Sequence, residues 1–170
     1  MIPTREISAV EAMTAFLDHI EQVNGLVPAI ISLRFPRNLL NEAAAADMAV
    51  PRGEWAGLLH GVPHAIKDSA KTKGLQTTYG SPMLRDFIPE NDAIFVSRMR
   101  AAGAIITGKT NAPNWAWANS YNPIFGTTLN TYDLTRIGSR SSGGGAVALA
   151  LRMRPVADGS DMGGSLRIMS

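Results

Sequence analysis

The segment from Asp92 to Thr107 constrains the fold most. Phe95, Val96, Met99 and Ala102 recur at helical spacing behind Asp92, which is expected to cap the helix, and Gly103 stops it. Ala104-Ile105-Ile106-Thr107 then reads as the strand on which that helix packs. Helix, glycine and strand in this order predict an α/β architecture.

The flanking sequence fits the same scheme. Ser8-Ala9-Val10-Glu11 has the form of a capping box, in which serine and glutamate satisfy each other's free backbone donors. Val10, Met13, Leu17, Ile20 and Val23 form one apolar stripe, and Asn24-Gly25 closes the helix. Ala29 to Leu33 is a short strand, Leu39 to Met48 an alanine-rich helix, and Pro51 to Glu54 a turn. Residues 72–89 and 111–142 are rich in loop residues. Ala146 to Met153 reads as a helix of small residues, and Pro155-Val156-Ala157 as a buried strand. No repeat or linker divides the chain, so residues 1–170 are expected to form part of one domain.

Composition narrows the function. The chain has no cysteine, which removes disulfides, thiol nucleophiles and thiolate ligands. His19, His60 and His64 lack zinc spacing, so neither metal nor cofactor is expected. The net charge is +2, with Lys and Arg scattered among acids, so no nucleic-acid partner is expected. Met1 to Glu6 does not begin a signal peptide, and no apolar run reaches the ~20 residues of a membrane span. A cytoplasmic location is the default expectation.

Two segments point to chemistry: Ser141-Ser142-Gly143-Gly144-Gly145 and Gly163-Gly164-Ser165. Glycines allow successive N–H groups to converge on one point, which suits a phosphate or the oxyanion of acyl transfer. No lysine follows either segment as in a phosphate loop, and the elbow G-x-S-x-G is missing. Glycine-rich turns are usually only turns, so neither segment decides the matter alone.

Their combination is more specific. Gly61-Val62-Pro63 with Lys67-Asp68, then Gly108-Lys109-Thr110-Asn111, Ser141-Ser142-Gly143-Gly144 and Gly159-Ser160-Asp161-x-Gly163-Gly164-Ser165-Leu166-Arg167 resemble the amidase signature family. Asn122-Pro123 and Phe125 to Asn130 extend the similarity over nearly the whole chain.

The resemblance implies a mixed β-sheet sandwiched by helices, here incomplete, and hydrolysis of an amide by a Ser-Ser-Lys triad. Lys67 aligns with the base, Ser165 with the nucleophile, and Ser141 with the bridging serine, which in the family follows a cis peptide bond. Ser142 aligns with a supporting serine, and the N–H groups of Met162, Gly163, Gly164 and Ser165 align with an oxyanion hole. A lysine acts as a base only when neutral, so burial must lower its pKa from ~10.4, and Val62, Ala65 and Ile66 suit such a site. A small-molecule amide is the implied substrate, and a homo-oligomer is possible.

The chain departs from the family where Ser139-Arg140 replace the usual pair of glycines, and where Ile168-Met169-Ser170 replace a proline turn. It is expected to be the N-terminal portion of a longer domain, poorly stable by itself because its sheet lacks neighbours. Two alternatives to a free amidase are therefore carried: an inert fragment or interaction module, and the amidase subunit of a glutamyl-tRNA amidotransferase. Trp115, Trp117 and Tyr121 are expected to serve packing, with an apolar pocket as the alternative.

Overall fold

The computed structural model describes residues 6–117 and 119–167. Met1 to Arg5 and the Ile168-Met169-Ser170 departure lie outside the described residues.

Helix α1 spans Ala9–Val23, and its capping box forms as expected: Ser8 Oγ accepts from Glu11 N–H, and the Glu11 carboxylate accepts from Ser8 N–H. Strand β1 is only Ile30–Ile31. Helix α2 covers Pro36–Ala49, starting with a proline whose missing N–H costs nothing in the first turn. Strand β2 (Pro63–Lys67), helix α3 (Ile94–Ala101) and strand β3 (Ile105–Thr110) follow. A small ribbon pairs β4 (Tyr121–Asn122) with β5 (Gly126–Thr127), and helix α4 is Gly143–Ala150.

The main sheet has the order β1-β3-β2, with β1 antiparallel and β2 parallel to β3. This is the mixed sheet that the resemblance implied. Apolar residues from both faces cover it. Ile66 and Ile106 pack with Val96 of α3, and Ala65 and Ile30 pack with Val147 and Ala148 of α4. Met13 and Leu17 of α1 meet Leu39 and Ala43 of α2 beside Ile105. The parallel β2–β3 pair is wholly buried, as parallel strands flanked by helices generally are.

Three local expectations are corrected. Asp92 does not cap α3, whose N-cap is Ala93; its carboxylate instead accepts from Lys73 N–H and Arg100 Nε. Helix α4 starts three residues earlier than Ala146, at Gly143, and ends at Ala150 instead of running to Met153. Pro155-Val156-Ala157 joins no strand; the His64 ring meets it instead, Nδ1 lying 3.2 Å from the Val156 carbonyl oxygen.

Candidate active site

Lys67 ends β2 in the middle of the fold, 1% exposed. Its backbone N–H donates to both oxygens of Asp158, at 3.1 and 3.0 Å. Asp158 also meets His64 Nε2 at 3.1 Å. Burial pushes the Asp158 carboxyl up, but the His64 ring, the Lys67 N–H and Arg154 outweigh it and hold the group below the usual range. One carboxylate thus ties the end of β2 to the segment that carries the second serine-glycine motif.

The Lys67 ammonium sits among hydroxyls. Nζ lies 2.9 Å from Ser141 Oγ, 2.9 Å from Ser142 Oγ and 2.7 Å from Ser160 Oγ. Burial lowers its pKa from 10.5 to about 8, and Asp158 only partly opposes this. Ser141 Oγ in turn donates to Ser165 Oγ at 2.9 Å. Ser165 Oγ also accepts from Ser142 N–H at 2.8 Å and lies 2.9 Å from Ser142 Oγ. Residues distant in sequence therefore form one hydrogen-bonded line, Lys67–Ser141–Ser165, buried along its length.

The glycines of α4 explain how the line is placed. A Cβ on Gly143 would lie 1.8 Å from Ser120 Oγ, and one on Gly144 would lie 2.4 Å from the Asn111 carbonyl oxygen. Only a bare backbone lets the start of the helix press against these groups. Every peptide bond among the described residues is trans, so the cis bond implied before Ser141 is absent. Trans is the low-energy form at a non-proline position. The Arg140 carbonyl is held by Ser120 Oγ at 2.6 Å and by Gly143 N–H at 2.9 Å.

The four residues aligned with an oxyanion hole form the turn that ends at Ser165. Met162 is 78% exposed, whereas Ser165 is buried. Gly164 adopts φ +93°, a conformation that suits glycine. Its N–H is engaged, donating to Asp161 Oδ1 at 2.7 Å. Asp161 also pairs with Arg167, and hydrogen bonds from Arg167 and from Gly164 hold its carboxyl well below the usual range.

Beside Ser165 lies a cavity of ≈ 470 Å³, whose walls include Trp115, Trp117, Arg140 and Met162. Both tryptophans therefore line this cavity; Trp115 also packs, its ring stacked on Tyr79 at 5.5 Å, whereas Trp117 is largely exposed. Tyr121 lies exposed in the β4–β5 ribbon.

Sequence reasoning assigned no role to Ser160, Asp158 or His64. Ser160 and Asp158 lie in or beside the quoted glycine motif, which was the available signal; nothing in the sequence connects His64 to residues near 158.

A sheet covered on both faces, with a buried lysine–serine–serine line where a strand end meets two glycine-rich turns, defines an α/β protein of distinctive design. The amidase family model matches residues 11–168, and the chain belongs to the amidase signature family. The A-subunit of glutamyl-tRNA(Gln) amidotransferase from Alkaliphilus metalliredigens is 44% identical over 164 residues, covering 96% of this chain and 33% of that relative. Among solved structures, the peptide amidase of Stenotrophomonas maltophilia superposes with a TM-score of 0.88 at 33% identity, over 96% of this chain and 35% of that one. A bacterial aryl acylamidase of the amidase signature family gives a TM-score of 0.89 at 30% identity, over 99% of this chain and 35% of that one. The chain spans about a third of the length of the relatives it matches. Among the described residues no helix is long and apolar enough to cross a membrane.

Proposed function

We propose that these residues carry the catalytic machinery of an amidase that hydrolyses a carboxylic amide to an acid and an amine or ammonia. The observation that carries this reading is the line from Lys67 Nζ through Ser141 Oγ to Ser165 Oγ, with both links at 2.9 Å. A lysine held near 8 supplies a neutral fraction at physiological pH, which an ordinary lysine does not.

Neutral Lys67 takes the Ser141 hydroxyl proton as Ser141 takes that of Ser165. Ser165 Oγ bonds to the amide carbon, and the negative charge moves to the carbonyl oxygen. The N–H groups of Met162, Gly163, Gly164 and Ser165 receive that oxyanion, once Asp161 releases the Gly164 donor. The C–N bond breaks as Ser141 protonates the leaving nitrogen and recovers a proton from Lys67. Water then adds to the Ser165 ester through the same relay, releasing the acid and restoring the serine. Ser142 and Ser160 support the lysine, since both accept from its ammonium. No cofactor enters this sequence.

A fluorophosphonate probe read by intact mass tests the proposal. One adduct per chain, lost in Ser165→Ala and strongly reduced in Lys67→Ala, is expected. A folded chain that takes no adduct would overturn it and favour the inert reading.

A second reading rests on the relatives. Sequence identity to the glutamyl-tRNA(Gln) amidotransferase relative reaches 44%, against 33% for the peptide amidase. In that role the amide is glutamine, the product is ammonia, and the chain works with stable partner subunits. Glutaminase activity that depends on a co-purified partner would support it. Activity of the whole protein on aryl or aliphatic amides, as a lone homo-oligomer, would count against it.

A further inference from the structure

The cavity beside Ser165 has an uneven charge distribution. Among the described residues that line it, Arg140 is the only basic side chain, and none carries a carboxyl group. Lys67 lies behind its floor, bonded to Ser141 and Ser160, which are themselves lining residues. The acids beside the lining residues Ser160 and Met162 are already occupied. Asp161 accepts from Gly164, Leu166 and Arg167, and Asp158 from His64 and the Lys67 N–H. Among the described residues the Arg140 guanidinium has no protein partner, and it is exposed.

The arginine is nonetheless well anchored. Its carbonyl accepts from Ser120 Oγ and Gly143 N–H, so the Cα is fixed at the start of α4 while the side chain remains available. The same cavity is also lined by two aromatic side chains, Trp115 and Trp117. Trp115 is fixed by its stack on Tyr79 and by the bond from its N–H to the Tyr79 carbonyl oxygen. A planar apolar body against the tryptophans, with an anionic end at Arg140, matches these walls.

We infer that Arg140 is a specificity residue that selects amides bearing a carboxylate, so that the guanidinium binds the carboxylate while the amide carbon faces Ser165. The inference rests on the amidase reading for what happens to the bound amide. It does not rest on that reading for the binding itself, because Arg–carboxylate recognition needs only the charge and the geometry of the guanidinium.

The test uses the Ser165→Ala chain, which cannot turn over ligand, titrated calorimetrically with 4-carbamoylbenzoate and with its neutral methyl ester. The carboxylate is expected to bind about tenfold more tightly at low salt, as one partly exposed charge-assisted contact allows. Added salt is expected to narrow the preference. Adding Arg140→Met should abolish it and Arg140→Lys should keep part of it, with melting curves confirming an unchanged fold. Equal affinities, no binding of either ligand, or a preference that survives Arg140→Met would each overturn the inference. The fluorophosphonate experiment separates the two proposals. Labelled Ser165 without carboxylate preference sinks only this inference, and preference without labelling sinks only the acyl-enzyme.

Discussion

Lys67 and Lys109 occupy neighbouring strands and share almost the same burial, at 1% and 0% exposed. In both, burial lowers the pKa from 10.5 to about 8. Their surroundings differ because they leave the sheet on opposite faces: Lys109 is paired with Ile66, and Lys67 with Thr110. Lys67 Nζ meets three serine hydroxyls, each able to accept or pass a proton. Lys109 Nζ meets the Ala70 carbonyl oxygen and Thr72 Oγ1, with Asp68 close enough to favour its charged form. Asp68, its own pKa raised by burial, accepts from Thr78 N–H, Thr78 Oγ1 and Gly80 N–H. A depressed pKa thus does not make a lysine catalytic. What matters is whether its proton has a route to a nucleophile.

The largest expected effects test that distinction directly. In an active whole protein, Ser165→Ala is expected to lower amide turnover by on the order of 10⁶. Lys67→Met should lower it by about 10³, as loss of a general base does. If Lys109→Met matched Lys67→Met in rate while both remained folded, the comparison would collapse. Lys109→Met is expected instead to leave Ser165 labelling near wild type. It should destabilise the chain by about 1–3 kcal/mol, because the Ala70 carbonyl and Thr72 hydroxyl lose a buried partner. Chemical denaturation of the two variants side by side reads this difference.

Next in size is the pH dependence. The neutral fraction of Lys67 grows through about 8, so the labelling rate should rise with pH and level off above that value. For stability the sign is the same. Between about 8 and 10.5 the unfolded chain binds more protons at these lysines than the folded one, so raising pH across this window stabilises the fold. The contribution disappears as pH falls through about 8. Lys67→Met should remove part of the slope of melting temperature against pH, and Lys109→Met a comparable part. A slope unchanged in both variants would show that neither lysine is depressed. The smallest effect is expected for Ser160→Ala, about fivefold on the rate through one lost bond to the ammonium. No change at all would reduce Ser160 to a bystander.

Much of this was legible from local pattern. The capping box at Ser8, the helical stripe through Leu17 and Ile20, and the unit ending in Ile105-Ile106 depend on neighbours within a turn or two, so spacing revealed them. The expectations that failed depended on distant partners. Asp92 is a good N-cap residue, but Lys73 and Arg100 compete for its carboxylate and win. Pro155-Val156-Ala157 has the composition of a strand, but it forms no ladder with the edge strand β2, and the His64 side chain meets the Val156 carbonyl instead. The proposed catalytic residues were legible only through several motifs in one order, since Lys67 alone reads as a surface lysine.

By itself, the sequence determined the helices, the α/β class and the family, because capping, periodicity and glycine placement act over a few residues. Tertiary structure alone decided which of two buried lysines faces the serines, that Asp161 occupies the Gly164 donor, and that Arg140 opens onto the cavity. Each of these depends on where chain segments distant in sequence meet and on which face of the sheet a side chain leaves. A shift of one residue in strand register would reverse that face, and no local pattern encodes it.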